Sequence, residues 1–371
     1  MGSAFVPPPY PYDRLDRFRA LADELDGGAV DLSIGTPYDP PPDAVVAALA
    51  ASDTERSYPP SKGSEAFREA AHRWMQRRFA IDVPPEKIGA SIGTKEFVAG
   101  LPQLMRLRRP DRDTVLSPSV AYPSYAMGAT LGGCRSVTVA PRPNGTLDLD
   151  SIDPADTDRA LLLWVNSPSN PTGALDDLAA AAAWGRAHGV PVFSDECYVE
   201  FTWASAGRTI LEHGLDGVVA VHSLSKRSNL AGLRVGFYAG DPEIVDYLHL
   251  VRQHAGMMVP GPAQAAGAVA LDDDQHVAEQ RRRYRSRLDL LAAVLGEWAE
   301  IDVPTPDGGF YLWVPVDDGW DFTARLARDG GAIVSPGEFY GEDGADHVRV
   351  AVVQPDHRIR LVTERLRGGR G

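Results

Sequence analysis

The stretch that decides the fold runs from Val221 to Phe237 and reads Val-His-Ser-Leu-Ser-Lys-Arg-Ser-Asn-Leu-Ala-Gly-Leu-Arg-Val-Gly-Phe. The apolar run Val218 to Val221 has the composition of a strand and delivers Ser223, Ser225 and Lys226. Asn229, Gly232, Arg234 and Gly236 follow before the next apolar run. Two hydroxyls, an ammonium and a guanidinium therefore converge on one loop between strands.

That combination suits a phosphorylated carbonyl compound. An amine forms a Schiff base only when it is held against the carbonyl, partly desolvated and near a cation that lowers its pKa. Ser223, Ser225 and Arg234 can take a phosphate, the arginine through two parallel hydrogen bonds. Only Lys62, Lys87, Lys95 and Lys226 are lysines among the 37 basic residues, so a lysine kept at 226 points to a task that arginine cannot perform. On the local pattern alone, a solvated loop lysine is the competing reading.

With 371 residues and 44% apolar content, the chain can bury a large core and is expected to form two lobes. A net charge of −14 argues against nucleic acid, which needs a basic face. The run Arg281 to Arg287 stands beside Glu279, Asp289 and Glu297 and reads as a solvated helix face. Cys134 and Cys197 suggest neither a disulfide framework nor a zinc knuckle, and no metal site is expected. No basic segment precedes an apolar one at the N-terminus, and no apolar run approaches the roughly 18 residues of a membrane span. Neither signal peptide nor membrane contact is expected, and cytoplasmic residence follows as the expectation. Met1-Gly2-Ser3 resembles the start of a myristoylation signal, but Val6 stands where Ser or Thr is required.

Pro7 to Tyr12 is read as non-helical, followed by a short amphipathic piece around Leu15, Phe18 and Leu21 that forms an arm laid over another surface. Leu32 to Pro37 reads as a brief strand ending in a turn, where Gly35 serves either a close ligand approach or the turn itself. Phe67, Ala71, Trp74 and Met75 recur at helical spacing after a loop carrying Tyr58 and Lys62. Gly93-Thr94-Lys95 opens the next helix, whose free N–H groups form an anion site or are simply capped. Leu161 to Val165 is unbroken in apolar character, as in a strand buried on both faces of a parallel sheet. It ends in Asn166 to Gly173. An alanine-rich helix from Asp176 to Ala187 and a strand from Val190 to Phe193 lead to Asp195 and Tyr198. Polar clusters thus fall repeatedly at strand C-termini, where open α/β sheets bind ligands. After about residue 255 the texture becomes that of a smaller α+β lobe, and Asp272-Asp273-Asp274 reads as a helix cap.

Assembled, these pieces resemble the class I/II aminotransferases of the pyridoxal-phosphate-dependent fold type I. The resemblance rests on Ser223-x-Ser225-Lys226 with Arg234, on Asn170-Pro171-Thr172-Gly173, on Asp195-x-x-Tyr198 and on Arg349 in Val-Arg-Val-Ala, in that family's order over about residues 32–365. It implies an α/β fold: a large domain with a mostly parallel seven-stranded sheet between helices, over residues 41–258. A small C-terminal domain over 259–371 would be joined by an arm over 1–40. It implies that Lys226 binds pyridoxal 5'-phosphate covalently and moves the substrate proton, with Asp195 against the pyridine nitrogen. Asn170 and Tyr198 would donate to the phenolic oxygen, and Tyr122 would stack on the ring. Ser223, Ser225, Arg234 and the helix start at Gly93, Thr94 and Lys95 would hold the phosphate. Tyr58 would reach the phosphate from the partner of a homodimer. Arg349, helped by Gly35 and Asn170, would clamp the substrate carboxylate.

Within the family the nearest resemblance is to the N-succinyldiaminopimelate aminotransferases of the lysine pathway, carried by His222 to Gly232, His254 to Pro260 and Pro336 to Gly341. Leu233 and Val353-Gln354 depart from that pattern. They leave room for a paralogue acting on another 2-oxo acid, or for a C–S β-lyase on the same scaffold. Lys62 and Arg227 are candidates for the distal carboxylate of glutamate.

Overall fold

The structure is a computed structural model that describes residues 5–54 and 56–369. The segment weighed as a myristoylation signal begins outside the described residues. In chain order the strands are β1 Val30–Asp31, β2 Ile88–Ser91, β3 Thr114–Pro118, β4 Arg135–Val139, β5 Ala160–Asn166 and β6 Val192–Asp195. They continue with β7 Val218–Ser223, β8 Gly236–Gly240, β9 Tyr311–Pro315, β10 Ala332–Ile333, β11 Ser335–Pro336 and β12 His347–Ala351.

A seven-stranded sheet has the order β2-β8-β7-β6-β5-β3-β4, with β8 antiparallel to both neighbours and every other pairing parallel. This is the mostly parallel sheet expected. β5 is buried at every position, because helices cover both faces and only continuous apolar character survives there. The helix Glu65–Phe79 starts where Ser64 Oγ accepts the N–H of Phe67 at 3.3 Å and stops at the left-handed Ala80. Its buried Phe67, Trp74 and Met75 contribute about 1.5–3 kcal/mol each by leaving water.

β11, β12 and β9 form a separate antiparallel sheet, while β1 pairs in parallel with β10. The N-terminal piece crosses onto this part of the molecule: Leu15, Phe18 and Ala22 pack with Ala327, Ile333, Phe339 and Tyr340. The arm expected from the sequence therefore has a surface to lie on.

Several expectations need correction. The segment around Leu32 to Pro37 is not a strand; pairing ends at Asp31. Beyond it the chain passes so close to Tyr311 of β9 that a Cβ at Gly35 would lie 1.9 Å from the tyrosine hydroxyl. Pro11 and Tyr12 belong to a 3₁₀ turn, Pro11–Leu15, in which proline occupies the first position and its missing N–H costs nothing. The alanine-rich helix starts at Leu178, because Asp177 caps it through the N–H of Ala180. Arg281 to Arg287 is not a uniformly solvated face. Arg281 donates to the carbonyls of Glu200 and Thr202, and the buried Arg287 holds Asp39 at 2.7 Å and Asp356 at 2.6 Å. Asp273 caps the helix Gln275–Ala299, as read from the sequence.

Candidate active site

Neighbouring strand ends build the floor. Asn166 at the end of β5 is in register with Asp195 at the end of β6, and Asp195 with Val221 in β7. Two residues beyond Val221 the backbone turns into the short helix Leu224–Arg227, which presents Lys226 over the same floor. The Asn166 amide donates to the carbonyl of Asp195 at 2.8 Å, and its oxygen accepts the N–H of Asn170 at 2.8 Å, tying the 166–173 loop to that floor.

The result is a cavity of about 210 Å³ between the sheet and the C-terminal part. Gly35, Thr94, Lys95, Tyr122, Asn170, Asp195, Tyr198, Ser223, Ser225, Lys226, Arg234 and Arg349 all line it. Gly93 does not line it, but it supports it: a Cβ there would meet the Arg234 guanidinium at 2.3 Å, so glycine lets that arginine lie against the helix start. Tyr58 is elsewhere, 93% exposed.

Lys226 donates to the carbonyl of Gly35. Burial first, and then the positive fields of Arg349 and Arg234, pull its ammonium down to about 8. Asp195 is pushed up by burial, opposed by the thiol and N–H of Cys197, the hydroxyl of Tyr125 and the charge on Lys226. Arg349 is 2% exposed; it donates to Asn170 Oδ1 at 2.7 Å and to the carbonyl of Ser33, and its Nε has no partner among the described residues. Its guanidinium carbon lies over the Tyr311 ring, 4.1 Å from the ring centre. Among the described residues, Lys95, Lys226, Arg234 and Arg349 form no ion pair with a carboxylate, and in the lining they outnumber the single carboxylate Asp195, so the cavity carries an excess of positive charge suited to anions. The helix Gly93–Arg108 adds N–H groups, because Ile92 at its N-cap offers no side-chain acceptor.

Residues 28–366 match the family described as aminotransferase class I and II. The chain belongs to that family. It is 40% identical over 368 residues to the 4-dedimethylamino-4-oxo-anhydrotetracycline transaminase OxyQ of Streptomyces rimosus, covering 97% of this chain and 99% of the relative. It is 32% identical to an LL-diaminopimelate aminotransferase of Aquifex aeolicus, covering 98% and 97% of the two chains. Its fold is similar to that of the N-succinyldiaminopimelate aminotransferase of Mycobacterium tuberculosis, with a TM-score of 0.85, 28% identity and coverage of 95% and 96%.

Class I/II aminotransferases depend on pyridoxal phosphate, and the cavity fits it. The uncapped helix start, the cradle at Gly93 and the unpaired Arg234 suit a phosphate, while the low-pKa lysine suits the carbonyl. No helix of the described residues is long and apolar enough to cross a membrane, and no metal-binding cluster occurs among them.

The sequence reading missed Tyr10, Tyr12, Asn166, Cys197 and Tyr311, which also line this aminotransferase's cavity. The Tyr311 and Tyr198 hydroxyls lie 3.0 Å apart. Asn166 and Cys197 were signalled by their places at strand ends; Tyr10 and Tyr12 come from the distant arm and carry no local signal. Of the two distal-carboxylate candidates, neither lines the cavity. Arg227 turns to the other side of its helical turn, where it holds Glu200 at 3.1 Å and Asp274 at 3.0 Å.

Proposed function

We propose that the enzyme exchanges an amino group between glutamate/2-oxoglutarate and an acidic, N-acylated 2-oxo acid of the N-succinyl-2-amino-6-oxopimelate type. The reaction would belong to diaminopimelate and lysine synthesis, in a cytoplasmic homodimer with shared active sites. The observation that carries the substrate class is Lys95. Its ammonium stands at the cavity mouth, 5.4 Å from the Tyr10 ring centre and 5.9 Å from that of Tyr122. Once Lys226, Arg234 and Arg349 have their tasks, Lys95 is the cation left for a distal carboxylate.

Bound here, the cofactor supplies a carbonyl for the amine and a ring that withdraws electrons from the substrate's α-carbon. Arg349 orients the α-carboxylate, and its unpartnered Nε is the donor waiting for it. Lys226, neutral above about pH 8, takes the proton from the α-carbon and returns it. Asp195 would keep a proton on the ring nitrogen and Tyr122 would pack on the ring, both side chains lining the cavity. The Asn170 oxygen is occupied by Arg349, which leaves its amide N–H₂ and the Tyr198 hydroxyl for the phenolic oxygen. Arg234, Ser223, Ser225 and the N–H groups of Thr94 and Lys95 hold the phosphate. Tyr58, held away from its own subunit, completes the phosphate site of the partner copy.

The absorption spectrum of the cofactor-loaded protein tests this reading. Glutamate added without an acceptor is expected to remove the visible band, and N-succinyl-2-amino-6-oxopimelate to restore it faster than pyruvate does. If glutamate leaves the band unchanged, the donor assignment fails. A second reading is favoured by the aromatic mouth formed by Tyr10, Tyr12 and Tyr122: a paralogue that accepts a flat cyclic ketone in a specialised pathway, which would restore the band where acyclic acids do not.

A further inference from the structure

Asp195 accepts from two donors, one inside its own Asp195-x-x-Tyr198 motif and one, Tyr125, from a chain segment outside the recognised motifs. Its Oδ1 accepts the backbone N–H of Cys197 at 3.1 Å, an arrangement fixed by the turn after β6. Its Oδ2 accepts the Tyr125 hydroxyl at 3.0 Å. Tyr125 lies in the first turn of the helix Ser124–Leu131, and its backbone N–H donates at 3.2 Å to the carbonyl of Tyr122, which precedes that helix and lines the cavity. It is 1% exposed, its ring is stacked on Trp164 at 5.2 Å between centres, and its hydroxyl has no other partner among the described residues. A buried hydroxyl is costly unless bonded, and a buried carboxylate far more so. The pair therefore satisfies two groups that would each be unstable alone.

We propose that Tyr125 is a positioning residue for transamination: its hydroxyl keeps Asp195 ionised and aimed, so that Asp195 retains the proton on the cofactor's ring nitrogen. This rests on the reading that Asp195 faces that nitrogen. The geometry leaves one task for each oxygen edge of the carboxylate. Tyr125 holds Oδ2 and the N–H of Cys197 holds Oδ1, and the carboxylate so held lines the cavity. Burial drives Asp195 toward its neutral form, and a neutral acid at this place would release the ring nitrogen. The Tyr125 hydroxyl opposes that drift.

The experiment loads wild type, Tyr125→Phe and Asp195→Asn with pyridoxal phosphate carrying ¹⁵N in the ring and follows the nitrogen resonance against pH. Phenylalanine keeps the packing on Trp164 and removes one oxygen, and melting curves verify the fold. In wild type the nitrogen is expected to stay protonated beyond neutral pH. In Tyr125→Phe it should lose the proton roughly one to two pH units lower, the size of a hydrogen bond to a charged group. Cofactor affinity, read by tryptophan quenching in the cofactor-free protein, should weaken roughly tenfold, and kcat should fall while the glutamate KM stays near wild type. A shift in Asp195→Asn with none in Tyr125→Phe overturns the role of Tyr125. No shift in either overturns the placement of Asp195 itself.

Discussion

Arg349 Nη1 donates to Asn170 Oδ1 at 2.7 Å, joining β12 to the loop after β5 across 179 residues of sequence. The proposed substrate-carboxylate site is thus assembled only when the two parts of the molecule meet. Arg349→Lys keeps the charge but cannot make paired hydrogen bonds or place a guanidinium over Tyr311. The expected outcome is a glutamate KM raised roughly a hundredfold, about 2.7 kcal/mol, together with a lower melting temperature, because the bonds to Asn170 and the Ser33 carbonyl are weakened too. Steady-state kinetics with thermal denaturation checks it.

Lys95→Met removes the free cation at the mouth. The KM for glutamate should rise about tenfold, the worth of one charge-assisted hydrogen bond, while that for alanine changes little. Equal effects on both amino acids would refute a distal-carboxylate role and leave Lys95 with the phosphate alone.

Lys226, with its pKa pulled down to about 8, sets the pH dependence of cofactor capture. Only the neutral amine attacks a carbonyl, so the rate at which cofactor-free protein gains visible absorbance should rise with pH and level off above about 8. Lys226→Ala should bind the cofactor without forming a borohydride-reducible link.

Behind the site lies a buried acid next to a buried base. Glu196 Oε2 is 3.5 Å from His222 Nε2, and burial pushes the carboxyl up to about 8 and the imidazole down to about 3. Both are neutral near pH 7, not an ion pair. Folded Glu196 keeps a proton that the unfolded chain loses near 4.5, so its stabilising contribution is complete below that value and is lost as pH rises to about 8. Folded His222 refuses a proton that the unfolded chain takes near 6.5, so stability also falls as pH drops from there toward 3. Glu196→Gln should flatten the alkaline limb: the melting temperature of the cofactor-free variant should change less between about pH 5 and 8 than that of wild type.

Glu200 accepts the Trp74 indole N–H at 2.8 Å, Arg78 at 2.9 Å and Arg227 at 3.1 Å. Glu200→Ala leaves the buried Arg227 facing one partly exposed aspartate, Asp274, and should cost about 3–5 kcal/mol in denaturant unfolding. A loss below about 1 kcal/mol would show that water replaces the carboxylate.

Much of the catalytic side was legible in one dimension. Asn170, Asp195 and Lys226 each stand at or just beyond the end of an apolar strand, and a parallel sheet carries such residues to one edge whatever the intervening helices do, while Arg234 comes just before the antiparallel β8. The covered strand β5 was legible for the same reason, since its unbroken apolar run has no face left for water. Reach was not legible. Arg227 and Lys62 sit beside site residues in sequence, yet a helical turn sends Arg227 to Glu200, whereas Tyr12 arrives from the N-terminal arm to stand 3.3 Å from Arg349. Nor did the basic run Arg281 to Arg287 show which members would be buried, because Asp39 and the carbonyls they bind lie far away in the chain.

The sequence alone determined buried strands such as β5 and the chemical kinds of side chain that follow them, because these depend on local periodicity, while the seven-stranded sheet was read from the family resemblance. Tertiary structure decided the pairings: Tyr125 with Asp195, Tyr198 with Tyr311, Arg349 with Asn170, and Gly35 beneath Lys226. Each joins segments whose separation in sequence carries no information about distance. The buried partner each group needs is supplied only when the layers pack and water is excluded.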